Sequence, residues 1–166
     1  MKTVIFAVFL AGSLASCVYS FAGGGLPGHI RTIAIVPFDN ETGQPGLGTE
    51  VQLELRQELP RSLGVRIAGE SVADAVVRGK ITGYEETAPS FRPAEPGGRV
   101  EVVQREVRIT FEAEIYDRTE NAPIWKQSGL TASGAYAPAS ESVERAVEVA
   151  IEQMIVRIVD GAQSQW

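Results

Sequence analysis

The side chains with which this chain could do covalent or acid–base chemistry are few. It holds one histidine, His29, and one cysteine, Cys17. His29 lies in a glycine- and proline-rich stretch with no rigid element to orient it, so neither a Ser-His-Asp nor a Cys-His arrangement is expected. A metal site would need clustered His or Cys ligands. We therefore predict no catalytic residue, no metal and no cofactor.

Paired carboxylates are the remaining candidates for acid–base chemistry. They occur as Glu85-Glu86 and as Glu112 with Glu114. Two carboxylates two residues apart on a strand point the same way and could share a proton, as a hydrolase would require. A solvated strand face that alternates Glu, Arg and Thr accounts for the same pattern. We adopt the solvated face and expect that the protein is not an enzyme.

Cys17 closes a segment with the layout of an export signal. Met1-Lys2-Thr3 gives a positive start, residues 4–10 are nearly all apolar, and Leu14-Ala15-Ser16-Cys17 follows. The apolar run is shorter than the ~20 residues of a membrane-spanning helix. The last four residues resemble a bacterial lipobox, which predicts a lipoprotein-type signal peptide over 1–16 and covalent lipid, such as palmitate, on Cys17. A plain signal peptide or an uncleaved membrane anchor are the alternatives.

The charge of the chain limits its partners. The formal net charge is −6 at pH 7, and loss of Lys2 with the signal peptide leaves 14 basic residues against 21 acidic ones. This balance argues against nucleic-acid binding, which needs a basic face, and against adhesion to anionic lipid by charge alone. One cysteine forms no internal disulfide. The domain must therefore fold on its apolar core.

The first part of the mature chain predicts one strand, one helix and, at residues 65–68, either a short strand or an extended connector. Residues 30–38 form a short, largely apolar run, as in a strand buried on both faces. Residues 39–48 have the composition of a turn. Thr49 and Gln52 match a capping box that begins a helix, and Pro60 ends or kinks that helix near Leu59.

The second part predicts three strands and a longer helix. Apolar residues alternate over 74–86, 103–115 and 124–136, and the stretch from Pro89 to Gly98 has the composition of a loop. From Ser140 to Gly161 the apolar residues follow the i, i+3, i+4, i+7 spacing of an amphipathic helix.

The order β-α-β-β-β-α predicts an α+β fold. The economical arrangement is a two-layer sandwich, with two helices packed on one face of a four-stranded, mostly antiparallel sheet. The other face of that sheet is polar and meets water or a partner. We expect residues 17–29 to be the acylated cysteine and a flexible tether, and residues 30–166 to form a single domain.

Three segments carry a resemblance to a known family. The first is Cys17-Val18-Tyr19-Ser20-Phe21, in which two aromatic residues closely follow the cysteine. The second, residues 29–42, is a strand that runs into the motif Pro-Phe-x-Asn-x-Thr. The third, residues 73–81, is an Ala-Asp-Ala turn that leads into a strand. Together these segments and the element order resemble LptE, the lipoprotein that works in lipopolysaccharide transport.

The resemblance implies a function without catalysis. In that family the domain plugs the lumen of the LptD β-barrel one-to-one, assists its assembly and binds lipopolysaccharide. The resemblance therefore implies an outer-membrane protein, lipid-anchored on the periplasmic side. Val18 is consistent with this location, because it is not the Asp that signals inner-membrane retention.

Lipopolysaccharide contact would require local positive charge, because the acidic domain repels phosphate at long range. Arg78 and Lys80 share one strand face, and Arg108 lies on the polar face of the next strand. If those strands are neighbours, the three side chains form a candidate contact patch. Cross-strand pairing of Arg78 or Lys80 with Glu112 or Glu114 explains the same residues.

A second class of function stays open from the sequence. The strand motif in residues 29–42 also resembles other periplasmic lipoproteins, which would make the chain an adaptor or regulator, such as a cell-wall-synthase activator or a secretion-pore component. A pore component would form homo-oligomeric rings, whereas a plug would bind one barrel.

Overall fold

The computed structural model describes residues 25–92 and 101–164. Cys17, the predicted signal peptide 1–16 and the first residues of the predicted tether lie outside the described residues. The elements, in chain order, are β1 (Thr32–Ile35), β2 (Asp39–Asn40), α1 (Leu47–Leu63), β3 (Arg66–Ile67), β4 (Ala75–Arg92), β5 (Glu101–Asp117), β6 (Ala122–Tyr136) and α2 (Val143–Gln163).

Within residues 25–92 and 101–164, six strands form one open, mixed sheet. Its order is β3-β1-β4-β5-β6, and β2 pairs with β4 beside this path. β1 pairs in parallel with β3 and β4, whereas β4, β5 and β6 form an antiparallel meander. The predicted α+β class is confirmed, but the described sheet has six strands rather than the predicted four, and its short strands β1, β2 and β3 pair in parallel. β2 and β3 have two residues each, which is too short for an alternating pattern.

Both helices pack their apolar stripes on the same face of the sheet. On β5 every second residue from Val107 to Ile115 faces this core, and Phe111 is fully buried. Burial of a side chain of that size contributes about 1.5–3 kcal/mol. The α2 residues in the core are Ala146, Ala150, Ile151, Met154, Ile155, Ile158 and Ala162. β1 is buried on both faces, as predicted, because Ala34 lies in a small second cluster on the opposite side.

Helix α1 begins and ends differently from the prediction. Its N-cap is Gly46, in a left-handed conformation and without a side-chain cap, so the predicted capping box at Thr49 is wrong. Gln52 instead donates a hydrogen bond to the Ile35 carbonyl at 2.8 Å, which ties α1 to β1. The helix continues through Pro60 to Leu63 and ends at Gly64, whose positive φ suits glycine.

The hairpin of β4 and β5 is longer than the patterns predicted. β4 runs to Arg92, so the predicted loop from Pro89 is wrong over its first residues. Pro89 lies in a register shift between Thr87 and Ser90. Proline is tolerated at such a bulge because the hydrogen-bond ladder is already interrupted. Residues 93–98 of the predicted loop lie outside the described residues.

Helix α2 lies close to β6 because of two glycines. A Cβ built on Gly134 would collide with the Ala146 carbonyl, and one built on Gly161 would lie 2.6 Å from Nε1 of Trp125. Helix and strand can approach this closely only where side chains are absent. Among the described residues, no helix has the length and apolar character needed to cross a membrane.

Candidate functional site

The candidate contact residues lie on the sheet face opposite the helices. β4 places Arg78 and Lys80 two residues apart, so both side chains point to this face. Across the antiparallel pair Arg78 is opposite Glu114 and Lys80 is opposite Glu112. β2 and β6 add further charges at the same level. We call this set the charged sheet face; it comprises Asp39, Glu41, Arg78, Lys80, Glu112, Glu114 and Lys126.

Each basic side chain of the charged sheet face meets a carboxylate. Arg78 Nε donates to Glu114 Oε2 at 2.6 Å, and Lys126 Nζ lies 3.9 Å from the other oxygen of Glu114. Lys80 Nζ donates to Glu41 Oε1 at 3.1 Å. These hydrogen bonds raise the pKa of Arg78 and of Lys80 above their ordinary values. Exposed ion pairs of this kind contribute little to stability, because solvent screens the charges and two long side chains lose conformational freedom.

Arg78 also contacts an aromatic ring. Its guanidinium carbon lies 5.0 Å from the ring centroid of Tyr116, within range of a cation–π interaction. Tyr116 OH in turn donates to Asn121 Oδ1 at 2.6 Å. Arg78 is therefore positioned by two neighbours on β5.

The structure brings Arg78 and Lys80 together but leaves Arg108 apart. Arg108 pairs in register with Glu85, and its guanidinium donates to Glu106 at 2.9 Å. It is four residues along β5 from Glu112, about 13 Å at the strand rise. The three predicted contact residues therefore form a pair and a separate cation, each already bonded to a carboxylate.

The charged sheet face is polar and nearly neutral. Three cations stand against four carboxylates around a shallow depression of about 180 Å³. The predicted alternative of cross-strand pairing is confirmed for Arg78 with Glu114. Such a surface suits contact with water or with a polar wall.

The paired carboxylates have separate partners. Glu112 accepts a hydrogen bond from Ser128 Oγ at 3.2 Å, whereas Glu114 is bound to Arg78. Glu86 accepts from Tyr136 OH at 2.7 Å and from Arg105 at 2.6 Å, and these two bonds lower the pKa of Glu86. A general acid needs a raised pKa, so Glu86 is held in the opposite state.

His29 is fixed to the domain, and the expectation that no rigid element orients it is wrong. Its Nε2 lies 2.6 Å from Oδ2 of Asp117, a buried carboxylate at the end of β5. Oδ1 of Asp117 accepts the backbone N–H groups of Thr119 and Glu120 at 2.7 and 3.0 Å. Burial raises the pKa of Asp117, but these hydrogen bonds and the bond to His29 outweigh it and lower the pKa.

Among the described residues, no nucleophile is bonded to the His29–Asp117 pair. Within residues 25–92 and 101–164 no hydroxyl hydrogen-bonds to His29, and no group of three or more His, Cys, Asp or Glu side chains comes close enough to hold a metal. The sequence did contain a signal for this pair. Asp117 continues the inward alternation of Ile115, and an inward carboxylate requires a partner.

A second carboxylate fixes the chain next to His29. Oδ2 of Asp74 accepts the backbone N–H groups of Arg31 and Thr32 at 2.9 and 2.8 Å and the Thr32 hydroxyl at 2.8 Å. These bonds lower the pKa of Asp74. Leu26 packs on the main core. The last residues of the predicted tether are therefore part of the domain.

Solved structures share this fold at low identity. The hypothetical protein CT253 from Chlamydia trachomatis aligns with a TM-score of 0.54 and 12% identity, covering 81% of this chain and 99% of that one. Protein XCC0632 from Xanthomonas campestris aligns with a TM-score of 0.51 and 10% identity, covering 85% and 91%. At these identities the likeness shows the fold alone.

Sequence comparison identifies the family. No curated protein matches the chain. The family model described as "LptE: Lipopolysaccharide-assembly" matches residues 30–162. That range begins next to His29 and ends in the last turn of α2, so it covers nearly the whole described domain. The chain belongs to the LptE family of lipopolysaccharide-assembly proteins.

Proposed function

We propose that this chain is a non-enzymatic outer-membrane lipoprotein that plugs an LptD-like β-barrel one-to-one and assists its assembly for lipopolysaccharide transport to the cell surface. The observation that carries the proposal is the family match over residues 30–162. LptE proteins are lipoproteins of the cell envelope without enzymatic activity. From this family membership we infer the barrel partner and the outer-membrane location of this chain.

The charged sheet face supports the plug. The lumen of an outer-membrane barrel is polar and wet, so a domain inside it needs a polar surface. The paired charges around Arg78 and Lys80 give such a surface without a large net charge. An apolar sheet face would favour aggregation instead.

The anchor of the proposed plug is lipid on Cys17. The bonds of His29 and the packing of Leu26 place these two residues of the predicted tether in the domain, so residues 18–25 separate them from Cys17. A segment of that length reaches at most about 28 Å when extended. The domain would therefore act close to the membrane surface, on its periplasmic side.

Lipopolysaccharide contact through Arg78, Lys80 and Arg108 is a further part of the proposal. A phosphate would have to displace the carboxylate bound to each cation, which makes the contact weak and dependent on salt. Arg78 and Lys80 would act together, and Arg108 would meet a different part of the lipid.

Affinity purification from detergent-solubilised outer membranes tests the proposal. The full-length lipoprotein should bring down a large β-barrel at one-to-one stoichiometry. A Cys17→Ala variant serves as the control for the anchor. Absence of any barrel would favour a periplasmic adaptor or regulator, and a ring of copies of this chain would favour a secretion-pore component.

A further inference from the structure

The outer side of the two helices carries a groove that the proposed function leaves unused. It lies between the C-terminal halves of α1 and α2 and has a volume of about 450 Å³. Its floor is apolar and comes from α2, from Ile155, Val156 and Val159. Val156 is 57% exposed. The apolar strip continues over α2 to Val149 in a neighbouring depression.

The rim of this groove is acidic. Glu54 and Glu58 of α1 face Glu152 and Asp160 of α2 across the floor. Among the described residues no Lys or Arg lines the groove itself. Arg61 bonds Glu58 from the same helix at 3.0 Å, and Arg157 lines the neighbouring depression with Glu152 and Asp160, so two cations stand near four carboxylates. The rim therefore holds more negative charge than its neighbours compensate.

Acidic residues continue between the two helices toward the N-terminal half of α1. There Glu50 of α1 and Glu148 of α2 line a depression together with Ile151. Burial, together with the charges of Glu148 and Glu54, raises the pKa of Glu50. The helices thus bring carboxylates together at a cost in Coulomb energy that a cationic partner would remove.

The helix side and the sheet side of the domain differ in how far their charges are compensated. On the charged sheet face each cation is paired with a carboxylate, whereas the groove presents an exposed apolar floor inside an acidic rim whose charge is only partly compensated. Charge complementarity then specifies the occupant: aliphatic side chains for the floor and Lys or Arg for the rim. A second copy of this chain would bring its own acidic surface and be repelled.

We propose that the groove between α1 and α2 binds a basic, amphipathic segment of the barrel partner. The inference rests on the proposed function and deepens it, because it names the surface of the plug that the barrel contacts. Apolar contact with Val156 provides the anchor, and ion pairs with Glu54 and Glu152 fix the orientation.

Site-specific photocrosslinking in intact cells tests the proposal. The full-length lipoprotein carries p-benzoylphenylalanine in place of Val156 or, as the control, of Val72. Val72 is 72% exposed in the turn before β4, next to Ala73 of the second cluster on the opposite side of the sheet. Position 156 should crosslink to a barrel peptide that contains Lys or Arg beside an aliphatic residue. Barrel crosslinks from position 72 but not from 156 would overturn the groove and keep the plug. A crosslinked dimer of this chain at 156 would also overturn the groove.

Charge removal provides a second readout. The double variant Glu54→Gln, Glu152→Gln should bind the purified barrel about tenfold more weakly at low salt, equivalent to about 1.4 kcal/mol, and with a shallower salt dependence. Glu85→Gln with Glu120→Gln removes two exposed carboxylates elsewhere and should leave the affinity unchanged. Equal affinity of the groove variant and the wild type would overturn the inference. If the wild type binds no barrel and neither position crosslinks to one, both the inference about the groove and the proposed function fail.

Discussion

Replacing Gly161 by Ala should destabilise the protein, although alanine is the better helix former. Gly161 is inside α2, where Ala is favoured over Gly by about 1 kcal/mol. The added Cβ would lie 2.6 Å from Nε1 of Trp125 and would also collide with two carbons of the same ring. The sign of the effect depends on which contribution is larger.

The collision should outweigh the helix preference. Trp125 is 6% exposed, and its indole is a rigid ring that cannot bend away from the helix. Overpacking of this kind costs about 1–3 kcal/mol, and the rigid ring places this case at the upper end. The expected net loss is about 2 kcal/mol in the free energy of unfolding, or about 4–8 °C in Tm.

Urea unfolding of the acyl-free protein, followed by far-UV circular dichroism, measures this loss. Gly69→Ala is the matched control, because a Cβ at Gly69 meets no atom within 4 Å. In a Trp125→Leu background the same Gly161→Ala change should become neutral or stabilising, as a double-mutant cycle would show. A Gly161→Ala protein more stable than the wild type would refute the account of how α2 packs on β6.

Three further changes test individual contacts. Glu50→Gln should stabilise the protein at neutral pH, because burial and two neighbouring carboxylates raise the pKa of Glu50. The gain in the free energy of unfolding should shrink as the pH falls through that raised pKa and vanish below about pH 4, where Glu50 is protonated in both the folded and the unfolded protein. An equal gain at all pH values would contradict this explanation. Asp117→Ala should lower the free energy of unfolding by about 1–3 kcal/mol, since it removes the acceptor for His29 and for two backbone N–H groups. The part of this loss that comes from the charge of Asp117 should be complete above the ordinary Asp pKa and disappear as the pH falls through the lowered folded value, and urea titrations across pH measure it. Arg78→Glu with Lys80→Glu should reduce binding of lipopolysaccharide micelles, and unchanged binding would remove these residues from the proposed contact.

The elements with long periodic patterns could be predicted from the sequence. The alternation from Val107 to Ile115 gave the strand and its buried face, and the apolar stripe from Val143 to Ile158 gave α2. The family resemblance is confirmed by the match over residues 30–162. These signals depend only on the spacing of residues along one element.

Features that depend on distant residues could not be predicted in this way. The two-residue strand β2 exists because β4 offers hydrogen-bond partners, and pairing with β1 decides that residues 66–67 are a strand rather than an extended connector. Gln52 matched a capping box, but the Ile35 carbonyl lies within its reach in the folded chain. His29 was expected to be free because its partner, Asp117, is 88 residues away in sequence.

The candidate site was predicted in its composition but not in its geometry. The outward orientation of Arg78 and Lys80 follows from strand alternation, whereas the separation from Arg108 depends on the register of β4 with β5. The acidic groove was not predicted, because it requires two helices 80 or more residues apart in sequence to lie side by side, with Glu58 and Glu152 both lining the groove between them.

The most direct test of the central claim is native mass spectrometry of the lipoprotein purified in detergent from outer membranes. We predict one dominant complex whose mass is the sum of one acylated copy of this chain and one large β-barrel. Release of the components in the gas phase should give each of them once. A complex that contains several copies of this chain and no barrel would contradict the account.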